Sequence, residues 1–165
     1  MNRSFFMVLV FLFLSTIAAT RASATTYWAI NGGACVPYQA PIAASEYTNV
    51  GGAVWVGSTT PVQFVCPIPA LAVNGPGIYY LNMTYLSSGV AVDVDLIEIN
   101  STTGAETTIY GNSGSSTSVT TASFPVTMSS GWGFGNYYYV LVTMTGRRFG
   151  TYSFASGLYG VSISV

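Results

Sequence analysis

Ile78–Ile99, IYYLNMTYLSSGVAVDVDLIEI, decides the fold class. Tyr79, Leu81, Met83 and Tyr85 fall on one side of an extended chain, and the intervening residues fall on the other. That period of two belongs to a strand, not a helix. Ser87-Ser88-Gly89 supplies a turn, and Ala91–Ile99 resumes the alternation, with Val92, Val94 and Leu96 set against Asp93 and Asp95. Beyond Leu96 the apolar positions become Ile97 and Ile99, with Glu98 between them. A slip of one residue predicts a β-bulge inside this strand.

The same signature recurs on both sides. Upstream, Tyr27–Ile30, Val50–Val56 and Pro61–Cys66 are strand-like. The turn Gly57-Ser58-Thr59-Thr60 predicts that the last two pair as a hairpin, and Pro67 and Pro69 are expected to stop the ladder. Downstream, Glu106–Tyr110 and Ala122–Met128 follow, with Pro125 pointing to an edge or a bulge. Tyr137–Thr145, YYYVLVTMT, is the clearest central strand, and Thr151–Phe154 and Leu158–Val165 close the chain. Gly111–Thr121 is a polar loop or weak edge strand, and Gly146-Arg147-Arg148 is a turn. About eight to ten short strands at this spacing predict an antiparallel β-sandwich, jelly-roll or immunoglobulin-like.

The N-terminus reads as a processing signal. Met1-Asn2-Arg3 is a basic start, Ser4–Ala19 an apolar run, and Ala22-Ser23-Ala24 a small-residue cleavage site. The expected organisation is a signal peptide over residues 1–24 and one β-sandwich domain over 25–165, secreted to the extracellular space or periplasm, with no membrane span after cleavage. Cys35 and Cys66 are the two cysteines. Behind such a signal they predict one disulfide, and two thiols without histidine cannot complete a tetrahedral metal site. An outer-membrane barrel has the right alternation, but the prolines, the cysteine pair and the terminal Val165 count against it.

The layout resembles a group of small, secreted, uncharacterised bacterial β-sandwich proteins. The residues that carry the likeness are Cys35, the Tyr47–Val56 stretch and Cys66-Pro67, all in the first half of the chain beyond the signal. Members often hold a further cysteine pair in later strands, which this chain lacks. The resemblance implies the fold and export, and no activity.

Charge narrows the function classes. The chain has no histidine, four arginines and no lysine, and five carboxylates, and only Arg147 and Arg148 lie beyond the signal. No basic stripe exists for nucleic acid. Without histidine or lysine a Ser-His-Asp triad and Schiff-base chemistry are excluded, and nothing sets two of the carboxylates across a cleft. Asp93, Asp95 and Asn100 could offer oxygens to calcium, but no glycine-bearing calcium loop surrounds them. The sequence therefore predicts no catalytic residue, metal or cofactor, and reads as a non-enzymatic surface, adhesive or assembly module capable of self-association.

The alternative reading is a carbohydrate-binding module. The loop Ser129–Asn136, SSGWGFGN, presents Trp132 and Phe134 between glycines, followed by Tyr137, Tyr138 and Tyr139. Trp132, Phe134, Asn136, Tyr137 and Tyr139 could form a platform for a glycan, with flat rings under the sugar and polar atoms for its hydroxyls. Trp28 and Trp55 are further aromatic candidates. Core packing uses the same residue types, so exposure is what separates the two roles.

Overall fold

The structure is a computed structural model that describes residues 26–38, 47–69, 76–128, 136–149 and 152–165. The expected signal segment over residues 1–24 lies outside them. The strands are β1 (Thr26–Asn31), β2 (Val36–Pro37), β3 (Tyr47–Val50), β4 (Ala53–Val56), β5 (Val62–Ile68), β6 (Gly77–Leu86) and β7 (Val92–Ile99), continuing with β8 (Glu106–Gly114), β9 (Thr120–Met128), β10 (Tyr137–Met144), β11 (Arg147–Phe149), β12 (Tyr152–Phe154) and β13 (Ser156–Ser164). Among the described residues the only helical element is a single 3₁₀ turn, Gly32–Ala34.

Two antiparallel sheets form the sandwich. One runs β3-β4-β13-β6-β9, with β1 also on β13, and the other runs β2-β5-β10-β7-β8; β11 and β12 make a separate ribbon. Strands β4 to β10 with β13 interleave as a jelly roll, since most successive strands change sheet. The added short strands carry the number past the eight to ten expected.

This interleaving corrects three local expectations. The predicted hairpin of Val50–Val56 with Pro61–Cys66 does not form. Gly51 and Gly52, with φ of 63° and 79°, fold the first segment back on itself as the β3–β4 turn, and β4 and β5 lie in different sheets. Pro67 does not end its strand but sits inside β5, opposite Tyr139. Strand β2 pairs only with Phe64 and Val65, so β5 is an edge on that side at Pro67, where proline is tolerated. The bulge falls between Leu96 and Ile97, but the extra residue is Ile109 of β8, since Leu96 faces Tyr110 and Ile97 faces Thr108. Strand β7 keeps its alternation to Glu98, which stands opposite Tyr138.

The inner faces supply the core: Phe64 and Val62 from β5, Leu81, Met83 and Tyr85 from β6, Val92, Val94 and Leu96 from β7, Val140, Val142 and Met144 from β10, and Leu158, Val161 and Ile163 from β13. Burying each such side chain contributes roughly 1.5–3 kcal/mol. Pro125 lies on the edge strand β9, as its missing N–H requires. Cys35 and Cys66 form the disulfide, with Cα atoms 4.4 Å apart. Just before it, Gly32 packs so closely on β13 that a Cβ there would overlap the Leu158 carbonyl oxygen. Buried Ser87 satisfies its polar groups by bonding Ser116: its hydroxyl donates to the Ser116 carbonyl at 3.0 Å and accepts from the Ser116 N–H at 2.7 Å.

Candidate functional site

Alternation on β10 sends Tyr138, Val140, Val142 and Met144 into the core. Tyr137, Tyr139, Leu141 and Thr143 must therefore stand on the outer face of the five-stranded sheet. The register extends that face sideways. Tyr139, Leu141 and Thr143 face Pro67, Val65 and Gln63 of β5, and Tyr137, Tyr139, Leu141 and Thr143 face Ile99, Ile97, Asp95 and Asp93 of β7. On β8 the matching residues are Glu106, Thr108, Gly111 and Ser113. The result is an aromatic and aliphatic floor with an amide, hydroxyls and three carboxylates among and around it.

Tyr38 completes the cluster. It follows β2, where its N–H donates to the Gln63 carbonyl at 2.9 Å. Its ring stacks on Tyr139 with centroids 6.2 Å apart and planes 27° from parallel. Its hydroxyl donates to Glu106 Oε2 at 3.0 Å. The Tyr139 hydroxyl joins the same network with Tyr38 and Glu106, and burial together with these bonds pushes its pKa well above the ordinary phenol value. Tyr137 is 61% exposed, Tyr38 37% and Tyr139 only 6%. Asp95 is half-buried, and burial, then the neighbouring Asp93 charge, raise its carboxyl above the usual range.

The structure brings the expected Tyr137 and Tyr139 onto one face. Asn136 is engaged elsewhere: its Nδ2 donates to Glu98 Oε1, which also accepts from the Tyr138 hydroxyl at 2.8 Å. Its Oδ1 accepts from the Ser101 N–H at 3.4 Å. Trp132 and Phe134 lie outside the described residues. Trp28 packs against the core. Trp55 is on the opposite sheet, where its indole lies over Gly157 and meets Tyr159 edge-on at 5.5 Å. Asn100 does not join Asp93 and Asp95; its Oδ1 caps its own turn, accepting from the Thr102 and Thr103 N–H groups at 2.9 and 3.0 Å. Among the described residues no group of three or more metal-ligating side chains is gathered.

Sequence reasoning missed Tyr38 and Glu106. Tyr38 stands in a segment without alternation, and the signal that could have found it is its position three residues after Cys35.

No protein-family model matches the chain, and no curated protein matches it in sequence. Solved structures do. The second N-terminal cellulose-binding domain of β-1,4-glucanase C from Cellulomonas fimi is similar with a TM-score of 0.57 at 15% identity, covering 89% of this chain and 98% of that domain. The C-terminal CBM6 of the laminarinase LamC from Zobellia galactanivorans has a TM-score of 0.48 at 17% identity, covering 86% and 100%. A carbohydrate-binding module of Cellvibrio mixtus lichenase 5A, in complex with cellotriose, has 0.42 at 15%, covering 86% and 98%. At these identities the likeness to the Cellulomonas domain establishes a shared β-sandwich fold.

Proposed function

We propose that this chain is an exported, non-catalytic carbohydrate-binding module that takes a neutral polysaccharide on the outer face of its five-stranded sheet. The observation that carries the reading is the tyrosine cluster. Tyr137 and Tyr139 stand side by side on a face that no described strand covers, with Tyr38 over one of them. Tyrosine rings suit the apolar faces of sugars and their hydroxyls suit the rim, while Gln63, Thr143, Asp93 and Glu106 add hydrogen-bonding groups beside them. The shared fold with a cellulose-binding domain supports a β-glucan as the first ligand to test. The reading extends to Trp132 and Phe134, which precede Tyr137 closely in the chain. Export over a cleaved 1–24 segment belongs to the same proposal, supported by the Cys35–Cys66 disulfide.

The test is calorimetry with cellohexaose and pull-down on amorphous cellulose, backed by a glycan array. Tyr137→Ala removes an exposed ring, so affinity should fall at least about tenfold while stability changes by no more than about 0.5 kcal/mol. Trp132→Ala, run beside it, should also lose binding. Wild-type protein that binds no glycan, or a Tyr137→Ala variant with unchanged affinity, overturns the reading.

A further inference from the structure

Tyr38 and Glu106 belong to opposite margins of the five-stranded sheet. Tyr38 follows the edge strand β2, and Glu106 opens the other edge strand, β8. Strands in a flat sheet are spaced ~4.8 Å apart, so these margins would lie farther apart than a tyrosine and a glutamate side chain can reach together. Yet the Tyr38 hydroxyl bonds Glu106 at 3.0 Å. The sheet therefore twists and curls so that these two corners approach above the outer face, and the Tyr38 side chain closes the gap between them. Underneath lies Tyr139, 6% exposed on a face that no described strand covers.

The hold on Tyr38 is unequal at its two ends. Its backbone is fixed beside the Cys35–Cys66 disulfide and by the bond to Gln63. Its ring is held by stacking on Tyr139, and its hydroxyl by a bond exposed to solvent. An exposed hydrogen bond exchanges readily with water. We propose that Tyr38 is a latch: it covers Tyr139 in the free protein and swings off Glu106 when a sugar ring takes its place against Tyr139. This rests on the carbohydrate reading. The apolar face of the sugar replaces the Tyr38 ring against Tyr139, so the closed state lowers apparent affinity by the fraction of protein that is open.

Two experiments test the latch separately from the function. The first uses no ligand: tyrosines are nitrated with tetranitromethane and the peptides read by mass spectrometry. Tyr38→Phe and, independently, Glu106→Ala should each raise the modification rate of Tyr139 several-fold over wild type, and unchanged protection of Tyr139 in both variants overturns the latch. The second measures association of cellohexaose. Tyr38→Phe should associate faster than wild type and bind at least as tightly, and saturating ligand should raise nitration of Tyr38 in wild type while Tyr139 stays protected. If Tyr38→Phe binds several-fold more weakly, Tyr38 is a fixed part of the platform and the latch is wrong. If wild type binds no glycan, the carbohydrate reading fails, and the ligand-free arm still decides whether Tyr38 covers Tyr139 as a movable group.

Discussion

Asp95 shows how a single side chain on this face carries a measurable cost. It stands on β7 between Leu141 and Gly111, so close to the latter that a Cβ there would meet its Oδ1 at 2.6 Å. Burial and the Asp93 charge raise its pKa in the fold above the ordinary value near ~4. A raised folded pKa favours the protonated form. The stability it contributes is full below the unfolded value and is lost as pH rises through the folded one. At neutral pH the ionised Asp95 is therefore a burden, and Asp95→Asn should raise stability there by less than about 1 kcal/mol, given its partial exposure. The gain should shrink as pH falls below ~4, because Asp95 is then protonated in both states. Thermal melts of both proteins across that range check this, and a pH-independent difference overturns it. Alternation alone separates Asp93 and Asp95 from the core-facing valines, but it cannot show that only one of them is half-buried. That depends on Gly111, which reaches the site through a strand pairing.

At the scale of elements, β2 is the weakest part that matters. It has two residues, and two ladder pairs tie it to β5. The neighbouring disulfide closes a 31-residue separation, worth about 3–4 kcal/mol in the chain-entropy account. The jelly-roll strands do not include β2, so they survive its loss. A Cys35→Ala, Cys66→Ala double variant should lose about 2–4 kcal/mol yet remain folded, with the Val36 and Tyr38 amides losing hydrogen-exchange protection while those of β6, β7 and β10 keep theirs. Equal protection of β2 with and without the disulfide counts against that role. The disulfide itself was legible, because two cysteines allow one pairing. Strand β7 was legible because its faces differ in polarity, β6 because its core residues recur at every second position, and β10 because Tyr137–Met144 is an unbroken run of β-forming residues bounded by turn residues. The pairing of β4 and β5 was not. A polar turn looks the same whether the next strand lies alongside or crosses to the other sheet. What separates the cases is that Val62–Ile68 pairs with Tyr138–Met144, far along the chain. Edge behaviour was partly legible: Pro125 marks β9 as an edge, and the extra Ile109 distorts the other long edge, β8. Both features discourage strand-to-strand assembly.

The charge pattern of the whole molecule makes the last prediction. Lysine and histidine are absent, and the entire chain holds five carboxylates, four of them between Asp93 and Glu106. The described ones, Asp93, Asp95, Glu98 and Glu106, all lie on β7 and β8 of one sheet. Three of them, Asp93, Asp95 and Glu106, fall on the outer face that carries the tyrosines. A ligand there meets negative charge and rings, so a polysaccharide with carboxylates or sulfates is repelled, whereas a neutral glucan carries no charge to screen. Binding of cellohexaose should therefore change less than about twofold between ~0.1 M and ~1 M salt, over which the screening length falls from ~10 Å to ~3 Å. An oligogalacturonate of similar length should bind far more weakly at the lower salt and recover part of the difference at the higher. Titrations of both sugars at the two salt concentrations decide it. Neutral-sugar binding that collapses with salt would mean that ionic contacts, not the tyrosine floor, hold the ligand.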